Sequence, residues 1–487
     1  MLKARSSFYL VGIKGTGMCA LAELLSRGGA TVRGSDTEQR FYTDGILREL
    51  GIPFHESFDP ARLRAAHSAG KIGLVVYSAA YSPDSNPELV EARRLGIPTV
   101  SYPEALGAYS ATMDSSAVAG VHGKTTTTAM CGALARALGL PAQILAGSAA
   151  ADFGGRSTLA LGDRYFIAET CEYRRHFMHF RPKRAILTAI ESDHQDFFPD
   201  YDSIRDAFLD FCRLIPQGGS LVHCADDPGA AEAARLIEGE ARGIALVPYG
   251  FGASGDYRLS DYRASEGEAF FKVAAFRREL CLRVPGRHQA LNAAGALALC
   301  GILLKEERGE AWNDALVEAA AGALREFRGA KRRSELIGRA GGIVFMDDYA
   351  HHPTAIRTTI AGLRAFHPGR RIFASFMSHT YSRTEALLDD FAEALLAADA
   401  LVLHKIYASA REKAPEGFDG TALFDKIAEK KGGARGDELL YVDEPADAFE
   451  PLTRALRPGD LFLTLGAGDN WPLGERLFQY FDEGSEK

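Results

Sequence analysis

Residues 116–128, SAVAGVHGKTTTT, decide how the chain is read. A short apolar run from Ser116 to Val121 passes through Gly120-Val121-His122-Gly123-Lys124-Thr125 into a stretch rich in Thr and Ala. That is the order of a strand, a glycine turn and a helix. Such a turn cradles phosphates: backbone N–H groups and the helix N-terminus surround the anion, Lys124 neutralises charge between β and γ groups, and the Thr125 hydroxyl can hold Mg²⁺. The general form G-x-x-x-x-G-K-[ST] is not met, because Val118 stands in the place of the first glycine. A Gly-Lys-Thr turn that merely caps a helix is the bland alternative.

Outward from that stretch, four- to eight-residue apolar runs alternate with helical patterns, which is the signature of parallel sheets covered by helices. The class is α/β. Residues 8–13 (FYLVGI) read as a strand, Met18 to Ser26 as a helix ending at Gly28 and Gly29, and a second strand stops near Gly34-Ser35-Asp36. A third cycle opens at Gly342, where GIVFMDDYA leads to a helix from Pro353 and then to RRIFASFMS, DALVLHKIY, ELLYVD and DLFLTLGAG. Three domains in series follow, with divisions near residues 112 and 328: 1–112, 113–327 and 328–487.

Composition narrows the partners. The 487 residues carry a formal net charge of −8, which argues against general affinity for nucleic acid or anionic membrane. No run approaches the roughly 20 apolar residues of a membrane span, and Met1 to Ser7 lack a signal peptide's apolar run, so a cytoplasmic protein is expected. The seven cysteines are scattered, without a CxxC pair, and read as buried thiols in a reducing compartment.

Other residues carry chemistry by position. Gly12-x-x-Gly15-x-Gly17 follows the first strand and Asp36 ends the second, where a carboxylate or its neighbours can meet a ribose. The glycine order differs from the dinucleotide fingerprint, so NAD is the weaker reading and tight packing the bland one. Ser78-Ala79-Ala80 follows the strand GLVVYS and would line a crevice, or form an ordinary turn. Glu169 closes RYFIAE and His194 follows RAILTAIE, where parallel strands present their ends beside the phosphate loop. A cation bridging a γ-phosphate and an acceptor carboxylate suits one hard oxygen and one imidazole there. Asp347 and Asp348 read as acceptors for an ammonium or a Mg²⁺ shell, whereas His351-His352 lacks the i, i+4 spacing of a helical zinc pair.

Taken together and in order, these elements resemble the Mur ligase family, most closely its alanine-adding branch. GVHGKTTTT, DHQDFF, VPGRHQALNAAGAL, FRGAKRRSE, DDYAHHPTAI, SHTYSRT, IYASARE and LTLGAGDNW are similar to that family's motifs, from Gly12 to about Trp471. The resemblance implies a Rossmann-like UDP-binding domain, a central ATPase-type domain and a Rossmann-like C-terminal domain for the amino acid. It implies ATP and Mg²⁺, with UDP-N-acetylmuramate and L-alanine joined through an acyl phosphate. It places Gly120, His122, Gly123, Lys124, Thr125 and Thr126 on the ATP phosphates, with Thr125, Glu169 and His194 on the cation. His288 and Asn292 would meet the adenine, and Arg328 with Lys331 to Arg333 would form the hinge beside the nucleotide. Gly15, Thr16, Gly17, Asp36, Ser78 and Glu172 would take the UDP-sugar. Asp348, Tyr349, His351, His379 and Arg383 would serve the amino-acid side. No nucleic-acid or membrane partner is implied, and the chain is expected as a monomer or weak homodimer.

Departures from the family pattern are Gln289 for Asn, Thr380 for Arg and Ala189 for Asn, and each loosens one contact. The carbamylated lysine of several relatives is absent, because no lysine lies between His194 and Lys272. Three rivals remain: a recycling ligase that attaches a whole peptide to the same sugar acid, a nicotinamide dehydrogenase fused to an NTPase, and an inactive nucleotide-binding regulator.

Overall fold

The computed structural model describes residues 7–195, 197–408, 415, 417–432 and 438–485. Asp196 of DHQDFF and Ser409 to Glu412 of IYASARE lie outside the described residues. The chain forms two compact units, Met1–Arg258 with Asn292–Ala323, and Leu259–Leu291 with Leu324–Lys487.

In the first unit, β1 (Ser7–Val11), β2 (Thr31–Ser35), β3 (Phe54–His55), β4 (Leu74–Tyr77) and β5 (Thr99–Ser101) form a parallel sheet ordered β3-β2-β1-β4-β5. Strands β2 and β4 flank β1, so the loops after β1 and β4 diverge around a crevice at the edge where nucleotides bind in doubly wound sheets. The central strands β1 and β4 are apolar on both faces, and Phe8, Leu10, Val11, Leu74 and Val76 are fully buried.

The same unit contains β6 (Asp114–Ala119), β7 (Ala142–Ala150), β8 (Arg156–Ala160), β9 (Tyr165–Glu169), β10 (Arg184–Leu187), β11 (Ser220–Cys224) and β12 (Ala245–Gly250). Their order is β12-β11-β10-β6-β9-β7-β8, parallel except for the β7–β8 hairpin. Strand β6 lies between β9 and β10, with Val118 opposite Glu169 and Ala119 opposite Leu187. Parallel strands deliver their C-terminal ends to one edge, and this register brings three strand-end loops together there. The helix Tyr201–Cys212 is capped by the Asp200 carboxylate accepting from the Ser203 N–H, and buries Ile204, Ala207, Phe208 and Phe211 at helical spacing.

Strand β13 (Tyr257–Ser265) begins beside β12 and continues into the second unit, where it forms an antiparallel set with β14 (Glu268–Val273) and β15 (Glu279–Leu282). Alternation of apolar and polar residues is the signal for that set, and it escapes a reading tuned to buried parallel strands. The second unit also holds a sheet ordered β16-β17-β21-β18-β19-β20, from β16 (Glu335–Ala340), β17 (Ile343–Asp348), β18 (Arg371–Phe376), β19 (Ala400–Leu403), β20 (Leu439–Tyr441) and β21 (Asp460–Leu465). Only the β16 edge is antiparallel. One face packs Ile356, Ile360, Leu363 and Phe391, and the other packs Leu452, Leu473 and Leu477. The architecture is α/β with three Rossmann-like or ATPase-like sheets in series. Among the described residues, no helix is long and apolar enough to cross a membrane.

Candidate active site

The loop after β6 turns at Gly120, with φ of +135°, and enters the helix Lys124–Ala137 from Gly123, with φ of +79°. Both positions need glycine. A Cβ on Gly120 would lie 2.8 Å from the Ala189 nitrogen and against the Thr188 hydroxyl, and one on Gly123 would lie 2.6 Å from Asn292 Oδ1. Thr188 Oγ donates to the His122 carbonyl at 2.5 Å, and the Val121 N–H donates to the Ala189 carbonyl at 2.9 Å. Ala189, the departure from Asn, therefore serves the loop through its backbone. Thr125 and Thr126 lie buried in the helix's first turn. Asn292, expected at an adenine, accepts from Thr127 Oγ at 3.2 Å and so braces the phosphate-loop helix.

Lys124 folds back over this loop. Its ammonium donates to the Gly120 carbonyl at 2.5 Å and the Val121 carbonyl at 3.3 Å, and stands 3.0 Å from Glu172 Oε2. Burial opposes the charge, but Glu172 and then Glu169 outweigh it and raise the Lys124 pKa. Burial would likewise raise the Glu172 carboxyl, yet Lys124 and His194 hold it below the usual range. Glu172 Oε1 lies 3.4 Å from His194 Nε2, so the carboxylate expected at the sugar acid is taken up by the lysine and the imidazole. His194 has a left-handed φ of 54°, and its ring packs on Tyr173 with centroids 4.9 Å apart. His122 pairs through Nε2 with the Glu191 carboxylate.

Glu169 accepts the Gly147 N–H at 2.6 Å and lines a cavity of about 150 Å³ together with Gly17, Tyr102, Gly147, Cys171, His176 and Phe177. The first glycine loop and the strand-end carboxylate thus share one cavity. Thr16 starts the helix Thr16–Arg27, with Gly15 before it, and accepts from Tyr42 OH at 3.2 Å. Ser78 Oγ accepts the Ala80 N–H at 3.3 Å in the turn after β4. Asp36 is turned inward: Oδ2 accepts the Lys14 N–H at 2.7 Å, while Oδ1 accepts from the Thr37 N–H at 2.8 Å and Tyr81 OH at 2.9 Å. It thereby ties the loop after β1 to the loop after β2 and to Tyr81.

In the second unit, Asp348 is also committed internally, with Oδ2 accepting the Ser334 N–H at 2.7 Å and Oδ1 the Ala350 N–H at 2.8 Å. Arg332 donates to Asp347 at 3.0 Å and lies over the Tyr349 ring, as Arg333 does. Lys331 sits over Trp471, and Arg328 is exposed. The two aspartates thus fasten the basic stretch to β17. His351 Nδ1 meets the Tyr349 carbonyl at 2.8 Å, and His379 pairs across a bridge with Tyr407. Thr380 caps the helix Tyr381–Ala386, and the buried Arg383 lies in that helix. His288 and the buried Gln289 begin the helix Arg287–Arg308.

Burial pushes the Asp347 carboxyl up to about 6 from 3.8, against the pull of Arg332. A raised folded-state pKa means that the folded form holds the proton longer, so this group's contribution to stability is present below about pH 4 and is lost as pH rises through about 6. Asp347→Asn should remove that slope, gaining on the parent between pH 4.5 and 6.5 by at most roughly 3 kcal/mol at 1.36 kcal/mol per unit. Urea midpoints of both proteins at the two pH values check this, and a difference that does not change with pH rules it out.

Tyr173, Thr188 and Glu191 were not singled out by sequence reasoning. Each is an ordinary loop or strand-end residue until β9 and β10 flank β6. The cysteines depart in part from the expectation of burial: Cys171 is exposed, in the turn between Glu169 and Glu172, and Cys281 is half-buried.

Comparison with known proteins agrees with this geometry. Residues 7–113 match the model "Mur ligase family, catalytic domain", residues 118–300 the Mur ligase middle domain, and residues 332–468 the "Mur ligase, glutamate ligase domain". The chain is 47% identical over 475 residues to UDP-N-acetylmuramate–L-alanine ligase of Treponema pallidum, covering 98% of this chain and 96% of that one. It is 36% identical to the ligase of the same name from Borreliella burgdorferi, covering 97% and 98%. The crystal structure of the Thermotoga maritima UDP-N-acetylmuramate–alanine ligase superposes with a TM-score of 0.76 at 26% identity, over 99% of this chain and 100% of that one. A murein peptide ligase from Psychrobacter arcticus, at a TM-score of 0.65 and 24% identity over 98% of each chain, shares the fold. The chain belongs to the Mur ligase family.

Proposed function

We propose that the chain couples cleavage of ATP to amide formation between the carboxylate of UDP-N-acetylmuramate and the amino group of L-alanine. One observation carries the reading: Lys124, Glu172 and His194 meet at the edge of the central sheet, beside a cavity that Glu169 shares with the first glycine loop. Identity of 47% to the Treponema pallidum enzyme along almost the whole chain supports L-alanine as the acceptor in preference to a peptide.

A carboxylate is a poor electrophile, and transfer of the γ-phosphoryl group makes it an acyl phosphate. The sugar acid's carboxylate oxygen attacks phosphorus, the bond to ADP breaks, and ADP leaves with the electron pair. Lys124, at the helix N-terminus, offsets the charge that builds on the phosphates in that in-line transfer. The neutral amine then attacks the carbonyl carbon, the tetrahedral intermediate expels phosphate, and the nitrogen releases its proton. Thr125 and Glu169 would hold Mg²⁺ through a hydroxyl and a carboxylate oxygen, with the His194 imidazole as a third donor, and the cation would neutralise phosphate charge.

On this reading Gly15, Thr16, Gly17 and Ser78, with the loop that Asp36 holds, receive the UDP-sugar. His288, Asn292, Arg328 and Lys331 serve the nucleotide, and Tyr349, His351, His379 and Arg383, with the loop that Asp348 holds, the amino-acid side. Divisions near residues 112 and 328 separate those three tasks. Dependence on ATP and a UDP-activated sugar supports reading the reaction as cytoplasmic.

Phosphate release from ATP in the presence of UDP-N-acetylmuramate, with each amino acid added singly, tests the proposal. Turnover requiring both the sugar acid and L-alanine is expected. Turnover only with a tripeptide would move the assignment to a peptide-recycling ligase, and no turnover with any acceptor would sink it.

A further inference from the structure

Glu172 lies against two side chains that the proposed function gives to the nucleotide and its cation, Lys124 and His194. Its side chain is only 4% exposed, and its two oxygens lie 3.2 and 3.0 Å from the Lys124 ammonium, with His194 Nε2 at 3.4 Å on the other side. The proposed function puts Lys124 on the γ-phosphate and His194 on its cation, so an anionic carboxylate sits between the two groups meant for the triphosphate. The turn that presents it is overdetermined. Arg174 and Arg175 adopt left-handed φ of 52° and 58°, a conformation that non-glycine residues hold only when their surroundings impose it. The Arg175 N–H donates to the Glu172 carbonyl at 2.8 Å, the Arg175 guanidinium pairs with Asp210 at 2.5 Å, and the Phe177 N–H donates to the Cys171 carbonyl at 2.9 Å. Tyr173, between these anchors, backs the His194 ring.

Resting on the ATP-dependent ligase reading, we propose that Glu172 is a positioning residue that occupies the γ-phosphate seat of the nucleotide-free enzyme, aims Lys124 and His194, and yields Lys124 when the triphosphate arrives. Two opposite consequences follow from one carboxylate. It competes with phosphate for the same ammonium, so it weakens nucleotide binding. It also keeps the lysine and imidazole aligned, so it speeds the chemical step. A merely structural ion pair would not split the two effects in that direction, because loosening the site would weaken nucleotide binding.

The test uses the full chain with Glu172→Gln and Glu172→Asp. ATP affinity is titrated without sugar acid, and kcat and KM for ATP are measured with saturating UDP-N-acetylmuramate and L-alanine. Glu172→Gln should bind ATP at least threefold more tightly and lower kcat at least tenfold. Glu172→Asp, which keeps the charge but withdraws it by one methylene, should fall between it and the parent in both. Unchanged or weaker ATP binding by Glu172→Gln overturns the proposal, as does an unchanged kcat. If Glu172→Gln does not fold, the ATP titration of Glu172→Asp decides: tighter binding than the parent supports the proposal, and equal or weaker binding overturns it. A parent that binds ATP but never turns over would instead sink the ligase reading, and the titrations would still judge Glu172.

Discussion

Lys124→Ala should lower turnover about a thousandfold, the upper range for removing one preorganised donor from a developing anion. At 1.36 kcal/mol per decade that is about 4 kcal/mol of transition-state stabilisation. The substitution also has a structural arm. Glu172 would lose its nearest cation inside a site where its side chain is 4% exposed, and Glu169 would lose a neighbouring charge. Breaking a buried ion pair from one side costs about 3–5 kcal/mol, because the remaining charge is left without compensation. Here Lys124 is 13% exposed and water reaches its end of the pair, so the lower end of that range is expected. The two arms separate in a double variant: Lys124→Ala with Glu172→Gln should recover most of the thermal stability and none of the turnover. Phosphate release and thermal midpoints of the three proteins provide the check. Recovery of turnover in the double variant would mean that Lys124 acts only as the partner of Glu172, and the phosphate-loop assignment would fail.

Why Lys124 was legible in the sequence and its partners were not is a matter of range. A glycine turn between a strand and a helix is a local pattern, and Gly120 and Gly123 mark places where the backbone leaves the region open to other residues. The α/β class was legible for the same reason, since apolar runs such as Tyr165 to Glu169 carry their burial in their own composition. Partners depend on register. Glu172 is 48 residues from Lys124 and Glu191 is 69 from His122, and neither spacing carries a signal until β9 and β10 flank β6. Carboxylates were the hardest to read. Asp36 and Asp348 stand at strand ends, where a ligand contact is a sound expectation, yet each closes one hydrogen bond to a backbone N–H of its own loop and one to a backbone N–H of a neighbouring loop. An Asp at a strand end can hold a ligand or hold the loop that does, and only the donors around it distinguish the two.

Phe177→Ala should destabilise the first unit by about 3–5 kcal/mol, the range for deleting a buried aromatic ring. Phe177 is 2% exposed, lies stacked on Phe211 with centroids 4.5 Å apart and planes 5° apart, and meets Phe208 edge-on at 5.3 Å. Both partners belong to the apolar stripe of the helix Tyr201–Cys212, so the ring ties the strained turn after Glu172 to the core. The loss should therefore reach catalysis as well, since the anchor that holds Arg174 and Arg175 left-handed also fixes where Glu172 and Tyr173 point. Phe177→Leu, which refills much of the volume, should cost less on both counts. The chain's two tryptophans, Trp312 and Trp471, fall one in each unit, so urea unfolding followed by fluorescence in a Trp471→Phe background reports the first unit. A fall in midpoint with an unchanged slope is the expected result. A loss below about 1 kcal/mol, within the range of ordinary substitutions, would mean that the turn is held by its hydrogen bonds and the Arg175–Asp210 pair. The left-handed pair of arginines would then be a property of the turn itself, and the route from the aromatic core to Glu172 would be closed.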